Sequence, residues 1–145
     1  DRADRKDTAA RKMALKSRSD WLAEAQVAFN AFIRERDYHE PCISCSRFHR
    51  GKWNAGHFLS VGAHPELRFN EFNAHKQCEP CNTSLSGNVS RYRARLVEKF
   101  GAQRVEELET QKPAAKYTID DAKAIKAAYK AKLRELVAAR EMETA

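Results

Sequence analysis

The chemistry-bearing residues of this chain are four cysteines in two pairs, with a histidine between the pairs. Cys42-x2-Cys45 and Cys78-x2-Cys81 are separated by 32 residues, and no cysteine lies outside them. Two thiolates at this spacing chelate one ion, and two such pairs close a tetrahedral zinc site. Disulfides are the alternative, with three possible pairings, but C-x2-C spacing is poor disulfide geometry. His57 lies between the pairs, and Asn82 directly follows the last cysteine. A metal-stapled frame carrying such a histidine and asparagine points to a metal-dependent nuclease.

Phosphodiester hydrolysis needs a base to activate water, a divalent cation to polarise the phosphate, and a frame that fixes both. In one-metal nucleases of the HNH or ββα-metal class the base is a histidine at a strand end. A metal ligand follows on a helix, and an asparagine between them orients the histidine. The order here matches. His57 takes the base position, Asn73 the orienting position, and Asn82 the ligand position for Mg2+ or Mn2+. Imidazole suits the base role because its ordinary pKa of about 6.5 lies near working pH. His75, three residues before Cys78, is a further candidate as a phosphate contact or metal ligand. Gly56 stands where many such enzymes place an aspartate ligand, so the catalytic cation needs Asn82 with water and phosphate, or help from His57, His64 or His75. His39 and His49 read as ordinary loop histidines.

The chain carries 27 basic and 20 acidic residues, a net charge of +7, which favours a polyanionic partner. The excess is concentrated around the cysteines: residues 47–104 hold ten Lys or Arg against four Glu. Arg47, Arg50, Lys52, Arg68, Lys76, Arg91, Arg93 and Arg95 are the candidate DNA contacts. No apolar run is long enough for a membrane helix, and no signal-like segment is present, so the chain reads as intracellular, with reduced thiols free for metal.

The expected architecture is mainly α with a small zinc-braced ββα-metal core and long flanking helices. Residues 1–19 form a charged arm, 20–112 the zinc-braced domain, and 113–145 a C-terminal helix that packs on the domain or forms an interface. The N-terminal start, in mid-pattern without a methionine, reads as that of a piece of a longer protein. Trp21, Leu22, Ala25, Ala28, Phe29, Phe32 and Ile33 recur at helical spacing, capped by Ser19 or Asp20 and ending near Asp37. Residues 52–59 are a candidate strand and 67–72 a second piece or a loop. Val89, Tyr92, Leu96 and Phe100 share one helical face, with Gly101 as the stop. Val105 and Leu108 point inward from a short helix that Pro113 breaks. Thr118 and Asp121 form a capping box for the last helix, whose stripe is Ala122, Ile125, Tyr129, Leu133 and Leu136.

Taken together, Cys42-x2-Cys45, Ala55-Gly56-His57-Phe58, Leu67-x2-Asn70-Glu71, Asn73-x-His75-x-Gln77-Cys78-x2-Cys81-Asn82, Ser86-Gly87-Asn88 and Tyr92-Arg93 resemble the lambdoid phage NinG family of recombination endonucleases, over about residues 15–137. The resemblance implies a structure-selective DNA endonuclease that cleaves D-loops and Holliday junctions during phage recombination in the host cytoplasm. It also implies a cysteine-bearing N-terminal extension. Junction cleavage in the family's manner favours a homodimer. Two rivals from other classes are a non-catalytic zinc-ribbon DNA-binding module and a protein–protein adaptor built on the flanking helices.

Overall fold

The computed structural model describes residues 1–14, 16–111 and 116–144. Seven regular elements follow one another: helices α1 (Arg2–Ala14) and α2 (Arg18–Arg36), strands β1 (Trp53–His57) and β2 (Ala74–Cys78), then α3 (Val89–Phe100), α4 (Ala102–Glu109) and α5 (Ile119–Glu143). The expected helices all form, with adjusted ends. Helix α2 is capped by Ser17 rather than by Ser19 or Asp20. The Ser17 hydroxyl accepts the Asp20 N–H, and the Asp20 carboxylate accepts the Ser17 N–H. Asp37 ends it, and α5 opens on the Thr118–Asp121 box. Pro113 and the boundary at 112/113 lie outside the described residues.

The two strands form an antiparallel hairpin in which Trp53 faces Cys78, Gly56 faces His75 and His57 faces Ala74. Of the two readings of residues 67–72, the loop is the one that forms: the stretch runs through short 3-10 turns, and the second strand begins two residues beyond it, at Ala74, through the histidine-to-cysteine stretch. That stretch is polar and was not legible as a strand, because its polar groups are satisfied internally. On its outer edge the Lys76 N–H donates to Asp37 Oδ2 (3.0 Å), and the Lys76 carbonyl accepts from the Ile43 N–H (3.0 Å). An edge strand with its backbone paired in this way needs no apolar alternation.

The hairpin is the centre of a sandwich. One face, carrying Ala55 and Ala74, buries against Ala28, Phe29, Phe32 and Ile33 of α2 and Tyr129 of α5. The stripe of α5 is therefore covered by α2 of the same chain. The other side packs Phe58 and Leu67 with Tyr92 and Leu96 of α3 and Val105 and Leu108 of α4. Burying each such side chain contributes about 1.5–3 kcal/mol. Val89 and Phe100, expected on the buried face of α3, lie at its two ends, Val89 about half exposed and Phe100 about one third exposed against Phe72 and His75. Arg36 ties α2 to the hairpin by donating to the carbonyls of Glu71 (2.7 Å) and Ala74 (2.8 Å).

Candidate functional site

The hairpin has two differently built ends, roughly 13 Å apart for a strand of this length. At the Trp53–Cys78 end lie Cys42, Cys45, Cys78 and Cys81, all free thiols. Their four Sγ atoms all lie within 4.8 Å of one another. Cys45 Sγ and Cys78 Sγ are 3.9 Å apart. A tetrahedron with metal–sulfur bonds of about 2.3 Å has edges of about 3.8 Å, so the cluster fits a zinc ion. Backbone N–H groups of Cys45 (3.5 Å) and Cys78 (3.4 Å) point at Cys42 Sγ, and the Asn88 amide donates to Cys81 Sγ (3.5 Å). Donors converging on sulfur favour the thiolate that a metal requires. His49, read from sequence as an idle loop residue, places Nε2 3.3 Å from Cys45 Sγ and its ring edge-on to Trp53.

His57 closes β1 at the opposite end. Its Nε2 lies 3.0 Å from the Arg68 carbonyl and 3.4 Å from the Gln26 amide nitrogen; the nearer partner can only accept, which favours the tautomer with the proton on Nε2 and the lone pair on Nδ1. The ring stacks on Phe29 at 6.1 Å between centroids. Burial is the main cause that lowers its pKa below the ordinary value; the hydrogen bond to the Arg68 carbonyl opposes it, and the nearby Arg68 charge adds to the lowering. The net direction favours the neutral ring. Gln26 of α2 holds the carbonyl partner in place. Its Oε1 accepts from Arg68 Nε (2.9 Å), while its Nε2 donates to the Arg68 carbonyl (3.2 Å) and to Asn30 Oδ1 (2.9 Å). Sequence reading missed Gln26. The available signal was a polar side chain one turn before Asn30, at the border of the apolar stripe.

Asn73 is fully buried and acts on the loop after His57 rather than on its ring. Its Oδ1 accepts the Leu59 N–H (2.9 Å), and its Nδ2 donates to the carbonyls of Leu59 (2.9 Å) and Leu67 (3.3 Å). Those anchors sit two residues past His57 and one before Arg68, so Asn73 fixes both sides of the histidine's hydrogen bond. Gly56 is required by close approach: a Cβ there would fall 1.9 Å from Gln77 Oε1. An aspartate ligand does not fit at that position.

Asn82 lies in the π-type turn Pro80–Ser84 beyond β2, at the cysteine end, half-buried. Among the described residues its side chain makes no hydrogen bond, and the partners of His57 are Arg68 and Gln26 rather than Asn82. His75 is only 5 % exposed; its Nδ1 lies 3.3 Å from the Tyr92 hydroxyl, which donates to the Gly56 carbonyl (2.7 Å). Burial lowers its pKa to about 3. It is an interior group between Phe72 and Phe100. His64 sits 3.4 Å from Glu66.

The candidate DNA contacts separate into two groups. Arg47, Arg50, Lys52 and Arg91 are exposed, and Arg68 is half-buried beside His57. None of these five forms an ion pair among the described residues. Lys76 is instead 7 % exposed, donating to the carbonyls of Tyr38 (3.1 Å) and Glu40 (2.9 Å) and covering the Trp53 ring. Arg93 forks onto Glu109 (2.8 and 3.1 Å), and Arg95 pairs with Glu98 (3.1 Å). Residues at i, i+2 and i+4 do not share one helical face, so Arg91, Arg93 and Arg95 form no single cationic row.

A cysteine-clamped hairpin sandwiched between helices is the class that this fold and site define. The family model for "Bacteriophage Lambda NinG protein" matches residues 1–140, and the chain belongs to the NinG family. It is 50% identical over 126 residues to protein ninG of Escherichia phage lambda, covering 87% of this chain and 62% of that protein. The corresponding proteins of Salmonella phage P22 and Escherichia phage 933W are 49% and 48% identical over the same length. The chain thus spans less than two thirds of the relatives it matches. No solved structure matches it. No described helix is long and apolar enough to cross a membrane.

Proposed function

We propose that this chain is the cleaving part of a metal-dependent endonuclease that acts on branched DNA, D-loops and Holliday junctions, in phage recombination. The observation that carries this reading is the 3.0 Å contact of His57 Nε2 with the Arg68 carbonyl. It leaves Nδ1 as an acceptor for the proton of an attacking water. Gln26 and Asn73 fix that ring without consuming its lone pair. The guanidinium of Arg68 supplies positive charge beside the histidine, where a phosphate would sit. Zn2+ held by Cys42, Cys45, Cys78 and Cys81 braces the frame. Mg2+ or Mn2+ would polarise the scissile phosphate beside His57, held by water and phosphate oxygens; Asn82, at the cysteine end of the hairpin, would not reach that ion. Arg47, Arg50, Lys52 and Arg91 bind phosphates, so affinity falls steeply with salt. A homodimer would present two such sites to a junction.

The rival is a non-catalytic DNA-binding module, favoured by the placement of Asn82 at the end of the hairpin away from His57. A nicking assay on a four-way junction with Mg2+ or Mn2+, run beside His57→Ala, separates the two. Cleavage by the wild type that the variant loses supports the enzyme. Tight binding by both with cleavage by neither supports the module.

A further inference from the structure

Phe48 is 71% exposed, an unusual position for a large aromatic side chain on a folded surface. It has no aromatic or cation–π partner among the described residues. Its two neighbours are nevertheless anchored. The Arg47 carbonyl accepts the Cys42 N–H (2.9 Å), and the His49 ring is fixed between Cys45 Sγ (3.3 Å) and Trp53. The backbone beneath Phe48 is therefore part of the cysteine cluster, and the ring projects from a rigid base. Residues 46–52 carry Arg47, Arg50 and Lys52 and no carboxylate, and none of the three cations forms an ion pair among the described residues. Beside them, a cleft lined by His49, Lys52, Thr83 and Ser84 adds two hydroxyls, with Glu79 its one lining carboxylate. A presented aromatic ring flanked by free cations is the pattern that binds unstacked bases: the ring takes the base face and the cations take the phosphates on either side.

We propose that Phe48 stacks on an unpaired or unstacked base at the branch of the DNA substrate, with Arg47, Arg50 and Lys52 holding the adjoining phosphates. This rests on the branched-DNA reading above. It accounts for branch preference by a physical element, because a fully stacked duplex offers no base face to such a ring.

The test is equilibrium binding of the zinc-loaded chain without Mg2+ or Mn2+, to a four-way junction and to a linear duplex of the same sequence. Phe48→Ala should lower junction affinity by about 5- to 160-fold, the range for one base–aromatic stack, and leave duplex affinity unchanged. Phe48→Trp should retain junction binding, and Phe48→Leu should not restore it. Arg47→Ala with Arg50→Ala should weaken both substrates alike. Equal junction affinity for Phe48→Ala and wild type, equal losses on both substrates, or full recovery with Phe48→Leu would overturn the stacking role alone. Wild-type protein that binds neither substrate would overturn the branched-DNA reading together with it.

Discussion

The two ends of the hairpin use opposite strategies on the same pair of strands. At the Trp53–Cys78 end every side chain of the cluster converges inward, and N–H donors point at its sulfurs. At the His57–Ala74 end one nitrogen of the ring is tied down and the other has no hydrogen-bond partner among the described residues. The first arrangement suits rigidity and the second suits proton transfer. The contrast teaches that a small domain can keep a converging sulfur cluster and a singly tethered histidine apart on one pair of strands. The backbone of the hairpin, with Asn73 fastened at one end and Cys78 at the other, carries rigidity between them.

The strongest way to break the comparison is to remove a sulfur. Cys78→Ser should abolish stoichiometric zinc and unfold much of the chain, since structural zinc contributes on the order of 10 kcal/mol to such folds. Metal analysis and far-UV circular dichroism check this; a zinc-free variant with a native spectrum would show that the cysteine end is not the brace. At the other end, His57→Ala should reduce cleavage about 10²–10⁴-fold while zinc content and junction binding persist. Loss of fold in this variant would make the two ends alike and end the division of labour.

A pH titration sharpens the comparison in two ways. His57 has a lowered pKa, so the acid limb of cleavage should fall below pH 6.5, where the ring gains a proton and can no longer accept one. A limb above that value would assign the base to another group. His75 bears on stability. Above about pH 6.5 it is neutral in both folded and unfolded states and contributes no slope. Between there and its folded value of about 3, the unfolded chain binds a proton that the buried ring refuses. Stability should therefore decline by about 1.4 kcal/mol per pH unit as pH falls through this window. Denaturant melts of wild type and His75→Gln test it: the variant should lose that part of the slope. The smallest effect concerns α3. Arg91→Ala should reduce the salt slope of DNA binding by about one unit, whereas Arg93→Ala, already engaged by Glu109, should leave it nearly unchanged.

Sequence reading succeeded where the determining interaction is local or where spacing itself is the chemistry. The apolar stripes of α2 and α5, the box at Thr118 and Asp121, and the stop at Gly101 each follow from residues within a few positions of one another. The candidate strand over residues 52–59 contains β1, Trp53–His57. Strand β2 was missed because its residues are polar, and their partners, Asp37, Ser44 and the Gly87 carbonyl, come from elsewhere in the chain.

By itself, the sequence determined the four-cysteine cluster, the order of His57, Asn73 and Asn82, and kinship with the NinG proteins. A chelating pair needs only two thiolates three residues apart, and an ordered motif survives any detail of packing. Tertiary structure alone decided what each group does there. It set Nε2 of His57 against a carbonyl 11 residues away. It drew Gln26 to Arg68 across 42 residues and placed Lys76 on two carbonyls beneath Tyr38 and Glu40. It also turned Arg91 to solvent and Arg93 to Glu109. Such outcomes depend on strand register and helix rotation, which are set by the burial of Phe29, Tyr92 and their neighbours rather than by the polar residues themselves.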